Sequence, residues 1–72
     1  MTKRAFEAAV KRYGIATIME AYKLHTEEGM GASTVSCYLG RVLKNTNAAD
    51  SAINAGRYLH NDAAAQSKYA TA

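Results

Sequence analysis

The chain has no proline, no tryptophan and only one cysteine among its 72 residues. Each absence removes a class of solution. With Cys37 alone, no internal disulfide can form, and a cysteine-rich zinc site lacks its ligand set. Without proline, nothing forces a break inside a helix. No long segment alternates apolar and polar residues, so strands are not expected. No apolar run approaches the roughly 20 residues of a membrane span. The basic opening Met1-Thr2-Lys3-Arg4 meets Glu7 rather than an apolar stretch, which predicts no secretory leader and a cytoplasmic location.

Length adds a further bound. A chain this short buries only about 60% of the surface its unfolded form exposes, so the core must be thin. Stability has to come from helix packing, helped by a partner or a second copy of the chain.

What is present reads as an all-α domain, a compact array of about four short helices spanning residues 1–61, with residues 62–72 as a tail. Thr2 can cap a first helix that ends at Gly14, with Ala5, Phe6, Ala9, Val10 and Tyr13 forming one apolar stripe. A second helix is expected from Thr17, where Thr17 and Glu20 have capping-box spacing, to Gly29. In it Ile18, Met19, Tyr22 and either Leu24 or His25 face inward. The third shows the clearest periodicity: Val35, Tyr38, Leu39, Val42 and Leu43 recur at helical spacing between an N-cap at Ser33 and an end at Asn45. A fourth helix from Thr46 or Asn47 to Leu59 carries a narrow stripe of Ala49, Ala52, Ile53, Gly56 and Leu59. The alanine-rich tail forms a short helix or frays.

The net charge of +3 is modest, but its distribution is uneven. Lys3, Arg4, Lys11 and Arg12 face only Glu7 in the first helix. The next segment is acidic, with Glu20, Glu27 and Glu28 against Lys23, and Arg41 and Lys44 follow without an acid. Basic groups gathered on one face are what a nucleic-acid binder needs. Catalysis has no comparable support. His25, His60, Cys37 and the carboxylates fall on different predicted helices without motif spacing, and Gly29-Met30-Gly31 lacks the lysine and length of a P-loop. The sequence therefore predicts no enzyme, no metal and no cofactor.

The segment Gly29-Met30-Gly31-Ala32-Ser33-Thr34-Val35-Ser36-Cys37-Tyr38-Leu39 is the most informative. A glycine-rich break precedes a hydroxyl-rich helix, and over residues 21–44 the pattern resembles the helix-turn-helix superfamily of DNA-binding proteins. Leu24, the turn glycine Gly29, Met30, Val35 and Tyr38 match its apolar and turn positions. His25 stands where that family prefers a small residue, and Glu28 where it prefers an apolar one. In a second register the segment ending at Leu39-Gly40 resembles the first helix pair of resolvase-like domains. The recognition helix would then be Thr46 to Tyr58, whose Ser51-Ala52-Ile53-Asn54 resembles small phage repressors. Arg41 to Asn45 makes the turn too long for that register, so the first is preferred. The resemblance implies a small transcriptional regulator that sets residues 33–44 in the major groove of double-stranded DNA. Ser33, Thr34, Ser36 and Cys37 would meet the groove, Arg41 would read a base, and Lys44, Lys3, Arg4 and Lys11 would contact phosphates. Dimerisation would suit paired half-sites.

The alternative partner is a larger host protein, bound by a phage-type helical modulator. Tyr13, Tyr22, Tyr38, Tyr58 and Tyr69 are its potential anchors. Of these, Tyr13 and Tyr38 read as core and Tyr69 as the most exposed.

Overall fold

A hydroxyl opens the first helix. The Thr2 side chain accepts the Ala5 N–H at 3.1 Å, and α1 runs Lys3–Tyr13. The computed structural model describes residues 1–69. Its helices α2 (Ile15–Thr26), α3 (Ala32–Tyr38), α4 (Thr46–Asn61) and α5 (Ala63–Tyr69) complete an all-α fold, with no strand among the described residues.

Gly14 joins α1 to α2 without a linker. Its φ of 86° turns the chain in one residue, so that it closes α1 through a bond to the Val10 carbonyl and begins α2. The second helix therefore starts at Ile15, two residues before the expected Thr17. Thr17 lies inside the first turn rather than at the cap position, and the expected capping box is not the start signal.

The third helix is shorter than its apolar pattern suggests. It begins at Ala32 after Gly31, so Ser33 is not its cap, and it stops at Tyr38. Residues 39–42 turn instead, closed by the Val42 and Leu43 N–H groups, which both donate to the Leu39 carbonyl. Two local preferences explain the stop. Gly40 is a poor helix residue, and the Asn45 side chain is engaged in starting α4, accepting the Ala48 N–H at 2.8 Å. The turn buries Leu43 completely but leaves Tyr38 and Val42 exposed, at 67% and 40%. Both were expected to be core. Met19, expected to face inward, is also exposed, because Ile18, Ala21 and Leu24 take the inner face of α2.

The centre of the fold is α4, which packs against each of the other four helices. Its small-residue stripe is buried as the pattern predicts, and Ala55 joins it. Small side chains let neighbouring backbones approach closely. At Gly56 the approach is so tight that a Cβ would fall 2.3 Å from Tyr22 Cβ. Around α4, the largest fully buried side chains are Phe6, Ile18, Val35 and Leu43. Each contributes roughly 1.5–3 kcal/mol over an exposed position. Among the described residues, six of the thirteen buried apolar ones are alanines, so the core is thin, as the chain length requires.

The tail residues 63–69 form α5, started by Asp62, whose carboxylate accepts the Ala65 N–H at 3.0 Å. Ala65 is buried, and Tyr69 meets Phe6 edge-on at 5.7 Å, while Tyr58 stacks on the same ring at 4.7 Å. Tyr69, expected to be exposed, is thus half-buried in an aromatic trio. Residues 70–72 of the expected tail lie outside the described residues.

Candidate nucleic-acid interface

The α2–α3 corner is built by one glycine and one histidine. Gly29 takes a φ of 70°, which reverses the chain after α2 and lets the Met30 N–H reach back to the Leu24 carbonyl at 3.2 Å. The His25 ring then closes the corner from the other side, its Nδ1 2.8 Å from the Met30 carbonyl. A carbonyl can only accept, so Nδ1 carries the proton in this bond. His25 therefore spans the turn where the helix-turn-helix pattern has a small residue. Glu28, the other departure from that pattern, is exposed and needs no burial of its charge.

Val35 anchors α3 from beneath: it is completely buried, and α3 packs against α4. On the outer side Ser33, Thr34, Cys37 and Tyr38 face solvent. Ser36 is half-buried, and its hydroxyl donates to the Ser33 carbonyl at 2.7 Å, so its donor is already used by its own helix. Arg41 and Lys44 are exposed but lie in the turn after α3, not on a helix reaching residue 44.

The turn creates a juxtaposition that local patterning does not reveal. Arg12 at the end of α1, Val42 and Lys44 from the turn, and Asn45 and Asn47 at the start of α4 line one open groove of about 450 Å³. Arg12 was not among the expected site residues. The meeting depends on the path of residues 39–45, which the regular apolar spacing disguises as more helix. The same spacing disguises Val42 as core, and it is exposed instead.

The other basic residues of α1 are dispersed. Arg4 and Lys11 are exposed, and Lys11 directly precedes Arg12. Lys3 lies at the opposite end of the helix, beside a small cavity of about 210 Å³ that it lines with Phe6, Tyr58, Asp62 and Tyr69. There the Asp62 carboxyl is held below its ordinary range. The Ala65 N–H is the main cause, followed by Tyr58, and the charge of Lys3 contributes least. The Tyr58 phenol is pushed up, first by loss of water and then by the neighbouring Asp62. Lys3 thus lies beside the α4–α5 junction and does not line the groove next to α3.

The second register of the resemblance would require α4 to protrude. Instead Ala52 and Ile53 of its Ser51-Ala52-Ile53-Asn54 tract are buried at the centre of the domain. Among the described residues no three His, Cys, Asp or Glu side chains gather to hold a metal ion, and no helix is long and apolar enough to cross a membrane. No family model, curated protein or solved structure matches the chain.

Proposed function

We propose that this chain is a small DNA-binding regulator that presents α3 and the following turn to duplex DNA. The observation that carries the reading is the two-sided character of this segment. Val35 and Leu43 fix it to the core, while Ser33, Thr34, Cys37, Arg41 and Lys44 remain in solvent. Small hydroxyl side chains allow close approach to a groove and can bond phosphate oxygens or base edges. Arg41 can address guanine through two parallel hydrogen bonds. Lys44 and Arg12, on one groove, supply phosphate contacts, with the exposed Lys11 and the hydroxyl of the exposed Tyr38 as further donors. Arg12 takes the place in this surface that the sequence pattern assigns to Lys3, which lies at the other end of α1.

The test is selection from randomised duplexes at low salt, followed by fluorescence anisotropy. A preferred site should emerge whose affinity falls steeply as salt rises. Arg41→Ala should relax the preference at one position, by about 1–3 kcal/mol. Lys11→Ala and Lys44→Ala should weaken all sequences alike and flatten the salt dependence. Failure to retain any duplex at low salt would overturn the reading.

A second reading, a modulator that binds a larger protein, is favoured by one feature of the same surface: Tyr38 and Val42 leave apolar area open beside the basic groups. It predicts that nuclease-treated host lysate yields one dominant partner, and that Tyr38→Ala abolishes its capture.

A further inference from the structure

Between α2 and α4 runs an open groove of about 1040 Å³ that no residue of α3 lines. Ile15, Met19 and Leu59 give it an apolar floor, and Glu20, Lys23 and Glu27 stand along the α2 side. We propose that this groove is a homodimer interface, filled by α2 of a second copy of the chain.

The charge pattern identifies the occupant. Acid, base and acid follow one another along α2 and its C-cap Glu27 at spacings of three and four residues, so they share one side of the helix. A partner of one charge sign would meet repulsion at either the glutamates or the lysine. A second α2 running antiparallel about a two-fold axis meets neither problem, since Glu20 of each copy faces Lys23 of the other. A two-fold contact uses the same patch twice and must be complementary to itself, and this patch is. Met19 lies beside these charges, 44% exposed. As an unbranched thioether it adapts readily to a facing copy of itself.

Size and core composition agree. A standard interface takes about 800 Å² from each partner, about a sixth of the 4705 Å² that this chain exposes. With twelve residues, α2 offers a ridge of about 18 Å for such a contact. A core rich in alanine also leaves much of the possible apolar burial to association. The inference does not rest on DNA binding, although the two are compatible. The longest dimension of one copy is 30 Å, less than the roughly 34–36 Å between half-sites one DNA turn apart.

Sedimentation equilibrium of the full chain, without DNA, tests the proposal. A reversible dimer is expected in the micromolar to millimolar range. Met19→Glu should raise its dissociation constant at least tenfold while circular dichroism keeps its helical signal, because Met19 is outside the core. Lys23→Glu and Glu20→Lys should each weaken self-association, yet the two variants mixed should restore it. Tyr38→Glu should leave it unchanged. A monomer at every concentration would overturn the proposal and leave the groove to a different protein. Loss of the dimer through Tyr38→Glu rather than Met19→Glu would overturn it equally, by moving the interface to the α3 surface. Neither result bears on duplex affinity, which is measured separately.

Discussion

Gly56 of α4 and Tyr22 of α2 occupy a space with no room for one more carbon atom. A Cβ on Gly56 would lie 2.3 Å from Tyr22 Cβ, 2.9 Å from Tyr22 Cγ and 3.1 Å from the Ile18 carbonyl oxygen. Tyr22 Cβ is fixed to its own backbone, so no rotamer change relieves the contact. Alanine would favour the helix by about 1 kcal/mol, but forcing the two helices apart costs typically 1–3 kcal/mol or more. The clash should win. Gly56→Ala is expected to lower the melting temperature by roughly 4–8 °C for each kcal/mol of net loss. An unchanged or raised melting temperature would show that α2 can yield.

The attachment of α5 depends on the ring of Tyr69 against Phe6. Tyr69→Ala removes the edge-on contact at 5.7 Å but leaves the Phe6–Tyr58 stack intact. Hydrogen exchange should then accelerate selectively in residues 63–69, with α1 to α4 retaining protection. Phe6→Ala, in contrast, should cost about 3–5 kcal/mol and destabilise the whole domain, since it removes the centre of the trio.

His25 holds the corner between α2 and α3. His25→Ala removes the bond to the Met30 carbonyl, at a cost of about 1 kcal/mol. The expected consequence is faster amide exchange at Met30 and Val35 with little change in α4. Should exchange at Met30 stay the same, Gly29 alone would suffice to hold the turn.

Asp62 and Tyr58 make pH-dependent contributions at opposite ends of the scale. The Asp62 carboxyl is lowered in the folded chain, chiefly by the Ala65 N–H. Its contribution is therefore present above the ordinary carboxylate range and is lost as pH falls through its depressed folded value. For Tyr58 the shift is upward, chiefly from loss of water. Its contribution is complete below the ordinary phenol value and fades as pH rises through the higher folded one. Asp62→Asn keeps a capping oxygen but removes the titration. Chemical denaturation across pH should show a smaller acid-side loss for this variant, measured most directly at the α5 amides. Parallel acid curves for both proteins would remove Asp62 from the account.

Much of this fold is legible in the residues. Thr2, Gly14 and Gly29 mark their boundaries by capping and backbone freedom, and the stripe from Ala49 to Leu59 identifies the buried side of α4. What misleads is the segment from Tyr38 to Leu43. Helical spacing there is real, but Leu43 reaches the core from a turn rather than from a continuing helix. Periodicity records which residues are apolar, not whether the chain between them stays regular. The same turn brings Lys44 to Arg12, a tertiary neighbour across the fold. Tyr69 likewise reads as a tail residue until the position of Phe6 is known.

The single-residue joint at Gly14 has a consequence for how this chain can change over time. With no slack between α1 and α2, adding one residue there would rotate α2 by about 100° about its axis. Ile18, Ala21 and Leu24 would swing out of the core together, and Glu20 and Lys23 would turn with them away from the α2–α4 groove. Length is therefore under tighter constraint at this point than residue identity is at most surface positions. The turn at residues 39–45 has several residues to absorb an insertion, whereas α1 and α2 are geared to each other and must keep their phase.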